Sequence, residues 1–132
     1  MKFVERNKEM RKITRGDVLQ VYLPDKNSSG KCVEEGNRPV VVISNDVCNS
    51  ISPVITVLPC SSSMRKINKG LPTHVVIDEE DLKVSGLSKK SVVMAEQFIS
   101  IDRRDIQTFL GHLPEKYMPK INRAASVQIA LA

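Results

Sequence analysis

Apolar residues in this chain come in short runs broken by turn formers, and a longer helical spacing emerges only towards the C-terminus. Val18-Leu19-Gln20-Val21-Tyr22-Leu23 half-alternates and is stopped by Pro24, which predicts a first strand. Pro39 to Ser44 is an unbroken β-branched run and predicts a second strand buried on both faces. Val54 to Leu58, between two prolines, predicts a third strand, Thr73 to Asp78 a fourth, and Ser91 to Ile101 one or two more. Asn45 to Ser50 has the cap chemistry of a turn or single helical turn, and Asp78-Glu79-Glu80-Asp81 reads as an acidic turn. Asp102 is expected to cap a short helix through Leu110. Leu113-Pro114-Glu115 should then open a last helix whose apolar face carries Met118, Ile121, Ala125 and Leu131. Many short strands with helices mostly at the end predict a mainly β (α+β) fold, a small and strongly bent antiparallel sheet or barrel.

Between the first two strands, Pro24 to Asn37 is rich in Asp, Asn, Ser, Gly and Glu and reads as a long loop. Loops above about a dozen residues in small domains are more often functional than idle. Residues 1–13 are charged and weakly patterned, so the chain divides into a basic N-terminal arm, 1–13, and a single domain, 14–132. That length supports a core without disulfide staples.

Composition narrows the chemistry. With 4% aromatic residues and no Trp, a stacking platform for single-stranded nucleic acid is not expected. Cys32, Cys48 and Cys60 make no metal-ligand spacing and no framework of pairs. They imply a reducing compartment and no metal site, with Cys60 in the core. Glycine-rich phosphate loops and the HExxH, DxDxDG and GxSxG patterns are absent, so no cofactor is expected. His74 and His112 fall in different elements and read as structural or surface residues. Met1 to Arg6 has charge with no apolar stretch behind it, and no apolar run nears the roughly 18 residues of a membrane span. A cytoplasmic protein without membrane contact is expected. The net charge of +5 suits an acidic partner or substrate. Six basic residues meet two acids in residues 1–16, and Arg65, Lys66 and Lys69 lie in a stretch, Ser61 to His74, that has no acid.

Two features carry chemistry. Arg38 stands between a Gly/Asn turn and Pro39, at the mouth of the second strand, where a planar, permanently charged group suits a phosphate. Ser61-Ser62-Ser63 leaves the third strand. If those strands are antiparallel neighbours, Arg38 and Ser61 share one sheet edge. An arginine and a hydroxyl are the minimum for stabilising a phosphorane, and RNA brings its own nucleophile, the 2′-OH. A serine-rich turn beside a salt-bridging arginine reads slightly better from these residues alone.

Five stretches in order resemble the MazF/PemK family of toxin endoribonucleases: Arg15-Gly16-Asp17-Val18, Asn37 to Asp46, Leu71-Pro72-Thr73-His74-Val75, Ala95-Glu96-Gln97 with Ile101-Asp102, and Val127 to Leu131. The resemblance covers about Thr14 to Leu131. It implies an SH3-like small barrel of the plasmid-maintenance-toxin type with a C-terminal helix, acting as a homodimer. It implies metal-independent, sequence-specific cleavage of single-stranded mRNA to 2′,3′-cyclic phosphate and 5′-OH ends, and neutralisation by a cognate acidic antitoxin. By position, Arg38 matches the family's catalytic arginine and Ser61 falls where many members have a catalytic threonine. Asn45, Ser63, Pro72, Thr73, Glu96 and Gln97 match RNA-contacting positions. Glu96 aligns with an acid proposed as base in one branch, but Met94 stands where that branch has an arginine. The basic arm is not typical of the family. A non-catalytic, CcdB-like toxin that binds a protein target such as gyrase, and a plain basic RNA-binding barrel, are the competing readings.

Overall fold

The computed structural model describes residues 12–23 and 36–132. The long loop expected after Leu23, with Cys32, and nearly all of the basic arm lie outside the described residues. Among the described residues, seven strands, all paired antiparallel, form the sheet: β1 Asp17–Leu23, β2 Gly36–Val42, β3 Val54–Ser61, β4 His74–Ile77, β5 Ser91–Met94, β6 Ile99–Asp102 and β7 Ile106–His112. Their spatial order is β4-β5-β3-β2-β1-β7, with β6 also on β3. The helices are α1 Asp46–Ile51, α2 Met64–Ile67, α3 Leu82–Ser85 and α4 Met118–Gln128.

Sheet curvature comes from two places. β3 pairs with β6 from Val54 to Val57 and with β5 at Cys60 and Ser61, so one of its edges serves two partners. Pro59, which has no N–H for a ladder, sits at the changeover. The β1–β7 ladder shifts register twice, after Val18 and after Gln20, and such irregularities increase twist. Bending divides the core in two. Val41, Leu58, Val75, Ile77 and Val93 pack under Tyr117, Ile121 and Ala124, whereas Leu19, Val21, Val40, Val42, Ile55 and Val57 pack with Ile101 and Ile106. The β2 run therefore feeds both cores, Val41 one and its neighbours the other, which is why it is β-branched without alternation. Ile13 is buried in the second core.

Two expectations need correction. Asp102 does cap, accepting from the Arg104 N–H at 2.8 Å, but it caps only a 3-10 turn, Arg103–Asp105. Ile106–His112 is not a helix but β7. Its Ile, Thr and Phe suit a pleated surface, and the free edge of β1 supplies a ladder that a surface helix would forgo. The last helix also differs. A 3-10 turn, Glu115–Tyr117, precedes α4, and the buried face is Tyr117, Met118, Ile121 and Ala124. Leu131 lies past the end of α4 and is 78% exposed, and Ala125 is half-buried, so neither anchors that face.

Tyr117 joins α4 to the acidic turn. Its hydroxyl donates to Asp81 Oδ2 at 2.5 Å and accepts from the Asp78 N–H at 3.0 Å. Beside it, α3 lies against β7 at van der Waals limits, and only glycine fits at two points. A Cβ on Gly86 would stand 2.1 Å from the Leu110 carbonyl oxygen, and one on Gly111 2.5 Å from that of Val84. Gly86 also has φ +76°. Gly86→Ala is therefore expected to destabilise the fold by about 2–4 kcal/mol, through backbone strain and overpacking together. Urea denaturation followed by circular dichroism measures this; an unchanged midpoint would contradict the packing described.

Candidate functional site

Gly36, with φ +82°, turns the chain into β2, and the β1 ladder then holds Arg38 opposite Val21. The β2–β3 register pairs Val40 with Pro59 and Val41 with Leu58. Two residues further along, Arg38 comes level with Ser61, so the two strand ends meet at one edge as the sequence argument requires. Arg38 is half-buried and lines a cavity of about 430 Å³ with Asn37, Cys60, Ser62 and the loop carrying Leu87, Ser88 and Lys89. Ser61 is 4% exposed, faces Val92 on β5, and its Oγ accepts the Ser63 N–H at 3.2 Å. Of the serine run, it is Ser62 and not Ser61 that lines the cavity wall.

A second cluster is built by β4 and β5. His74 opposes Met94, and the Ala95 N–H to Thr73 carbonyl bond, 2.8 Å, continues that ladder. The Gln97 N–H closes on the Met94 carbonyl at 3.4 Å and so turns Glu96 back over the strand ends. Glu96 Oε1 accepts from Thr73 Oγ1 at 3.0 Å, and Oε2 lies 2.9 Å from His74 Nε2. Burial alone would raise the Glu96 carboxyl, but bonds from His74, its own backbone and Thr73 outweigh it and hold it below the usual carboxylate range. The His74 side chain is 4% exposed, and its Nδ1 has no hydrogen-bond partner among the described residues.

The two clusters share a sheet face. Directly opposed residues in antiparallel strands project to the same side, so Ser61, Val92 and Val76 form one row, and Met94 with His74 the next. Strand spacing puts the backbones of Ser61 and His74 roughly 12 Å apart. Ile67 of α2 packs on Val92 and Met94 and roofs this face, and Ser63 caps α2 through its Oγ and the Lys66 N–H. Thus Arg38, Ser61, Ser63, Thr73 and Glu96 occupy one side of the molecule. Gln97 follows Glu96 in the same turn, and exposed Pro72 enters it from the other strand. Asn45 does not join them. It leaves the far end of β2, roughly 20 Å of strand from Arg38, and its side chain caps α1 by accepting the Cys48 N–H.

Sequence reasoning assigned His74 to structure and passed over Lys89 and Ser62 as individual residues. The adjacency of Thr73 and His74 ahead of a strand facing Ala95-Glu96 was the available signal, but only the β4–β5 register joins these pairs. His112, also read as structural, binds Asp17 Oδ1 through Nδ1 at 2.7 Å and fastens β7 to β1. Among the described residues, no group of three or more His, Cys, Asp or Glu side chains is placed to hold a metal ion, and no helix is long and apolar enough to cross a membrane.

Comparison with known proteins covers almost the whole domain. The family of PemK-like, MazF-like toxins of type II toxin–antitoxin systems matches residues 14–129. Endoribonuclease EndoA of Bacillus subtilis is 34% identical over 119 residues, 90% of this chain and 96% of that protein. Endoribonuclease MazF of Staphylococcus saprophyticus is 34% identical over 117 residues, 89% and 91% of the two chains. In three dimensions, an endoribonuclease solved in complex with its cognate antitoxin, from a mycobacterial species, superposes with a TM-score of 0.70 at 19% identity, covering 91% of this chain and 97% of that one. The fold is thus the small toxin barrel with a C-terminal helix.

The Glu96 bonds have a pH signature. Because its folded value lies below the ordinary 4.5, their stabilisation is complete above that value and is lost as pH falls through the folded one. Glu96→Gln should flatten the acid limb of the stability curve, measured as thermal midpoints from pH 7 to pH 3. An acid limb identical to that of the wild type would refute the stabilising role of these bonds.

Proposed function

Because the chain belongs to the PemK-like, MazF-like family of toxins of type II toxin–antitoxin systems, we propose that it is a sequence-specific endoribonuclease that cuts single-stranded RNA without a metal. The observation that carries this reading is the β2–β3 register, which continued by two residues brings Arg38 level with Ser61. In the reaction, the 2′-oxygen attacks the neighbouring phosphorus and gives its proton to solvent water, from which Arg38 is reprotonated after the cut. The phosphorane collapses by breaking the bond to the 5′-oxygen, which takes up a proton. The products are a 2′,3′-cyclic phosphate and a 5′-OH.

Negative charge accumulates on the non-bridging oxygens as phosphorus becomes five-coordinate. A half-buried arginine whose backbone is held by the β1 ladder answers that charge with little reorganisation. Arg38 in this reading stabilises the phosphorane and protonates the departing 5′-oxygen. Ser61 uses a lone pair on the Ser63 N–H and so has its proton for a non-bridging oxygen. Glu96, kept ionised by Thr73 and His74, lines the path of the strand together with Pro72, Thr73, Ser63 and Gln97. Asn45, at the other end of β2, would meet RNA only where the strand extends beyond this groove.

Neutralisation by an acidic antitoxin follows from the same basic surface: the chain carries +5, and a solved relative is held by its cognate antitoxin. A homodimer accords with the exposed apolar side chains Phe98, Ile129 and Leu131 around the end of α4, where Gln128 reaches the Glu96 carbonyl at 3.3 Å. The division into arm, 1–13, and ribonuclease domain, 14–132, is kept in this reading, as is a cytoplasmic site of action on mRNA.

Mixed RNA incubated with the protein in EDTA should be cut at discrete positions bearing cyclic phosphate and 5′-OH ends. Arg38→Ala should lower that rate roughly 100- to 1,000-fold or more with the fold intact. Intact RNA with wild-type protein would favour a protein-binding toxin or a plain RNA-binding barrel instead.

A further inference from the structure

β4 ends the sheet, and among the described residues no strand pairs with its outer edge. The phase of its ladder tells which backbone groups lie there. Thr73 accepts from Ala95 across the ladder, so Val75 and Ile77 also turn their N–H and C=O groups to β5. Those of His74, Val76 and Asp78 turn outward. Two of the outward N–H groups are taken locally, that of His74 by the Leu71 carbonyl at 2.9 Å and that of Asp78 by the Tyr117 hydroxyl at 3.0 Å. Among the described residues this leaves the Val76 N–H and C=O and the His74 C=O for an incoming chain.

A cavity of about 440 Å³ runs beside them, lined by Pro72, His74, Val76 and Asp78 from the strand side and by Lys120 and Arg123 from α4. α4 packs under Val75 and Ile77 and runs antiparallel to β4. Tyr117 ties it to Asp78 at one end, and Gln128 to the Glu96 carbonyl at the other. Rises of about 1.5 Å per helical residue and 3.3 Å per strand residue then set Lys120 roughly level with Ile77 and Arg123 with Val75. Both are exposed, and neither pairs with a carboxylate among the described residues; the Lys120 ammonium lies 5.7 Å from the Tyr117 ring centroid. Asp78, the acid of the cavity wall, stands at the Tyr117 end, 3.4 Å from that hydroxyl.

An open strand edge invites a further strand, and the charges beside it decide which. A second copy of this chain, paired edge to edge, brings its own Lys120 and Arg123 against this pair. Phosphates bring only acceptors, and two of the three free edge groups are acceptors themselves. We propose that the β4 edge docks an extended acidic segment of a partner protein, which adds as one more antiparallel strand. Its residues opposite Val75 and Ile77 project to the α4 side, two apart in sequence, and acids there meet Arg123 and Lys120. The residue between them pairs with Val76 and makes the ladder bonds. This surface uses neither Arg38 nor the cleavage reaction, so its role stands apart from the ribonuclease reading.

A capped heptapeptide alternating glutamate and threonine, titrated into the isotope-labelled full chain, tests this by nuclear magnetic resonance. Bound peptide should slow hydrogen exchange of the Val76 amide about tenfold or more. Methylating the threonine nitrogens, which face β4 in this register, should weaken binding about tenfold, whereas methylating the glutamate nitrogens, which face solvent, should not. Lysine in place of glutamate should abolish binding, and Lys120→Ala with Arg123→Ala, both at exposed positions, should weaken it about tenfold. An unmoved Val76 amide at millimolar peptide would overturn the assignment. So would equal sensitivity to methylation on either edge, which reduces the contact to charge alone, or undiminished binding by the double variant. A single-stranded RNA that protects the Val76 amide in the peptide's place would give the edge to nucleic acid, and protection that grows with protein concentration alone would give it to a second copy; either result also overturns it. RNA left whole by the protein would remove the ribonuclease reading and leave these readouts untouched.

Discussion

β3 keeps β2 along one edge while its other edge passes from β6 to β5, and the rest of the architecture follows from that exchange. Had β3 kept a single partner on that edge, the sheet would have one continuous face and one core. By changing partner near Pro59 it bends, splits the apolar residues into two clusters, and ends with Ser61 in the small sheet while β2 still holds Arg38 alongside. The candidate site lies where the two halves of the bent sheet diverge, and strands at such a point can present their ends without a ladder to cover them.

Charge is distributed to match. Two acids near the strand ends are engaged by donors: Glu96 by Thr73 and His74, and Asp81 by Tyr117 and Lys116. An acid held by hydrogen-bond donors is a poor competitor for the cations that a phosphate would need. The same economy explains why His74 is buried. Its imidazole fixes the Glu96 carboxylate at the turn between β5 and β6, so a rigid side chain stands where a flexible one would be free to swing into the groove.

Legibility varied with the source of each feature's order. The β2 run could be read because two-sided burial leaves its mark in consecutive β-branched residues. The residues of β7 carry no such mark: Ile106-Gln107-Thr108-Phe109-Leu110 suits a strand or a helix, and the capping residue Asp102 drew the balance towards a helix that ends after one 3-10 turn. What tips it is the unfilled edge of β1, a partner ninety residues away in the chain. Leu131 misled for a related reason, since helical spacing continues past the point where Ala130 adopts φ +62° and the chain leaves α4.

For the site, the chain alone specified the residue types and the strand ends that carry them: an arginine wedged before a proline, a serine run leaving the next strand, and a Glu-Gln pair after a strand. Local chemistry suffices there, because a proline, a turn or a β-branched run constrains its neighbours directly. Register and loop packing decided the rest. That Ser62 rather than Ser61 lines the cavity, that His74 grips Glu96, and that Asn45 departs from the far end of β2 all depend on pairings between residues distant in sequence. A one-residue slip in any of those ladders would turn the side chains to the opposite face, and no local preference distinguishes the two.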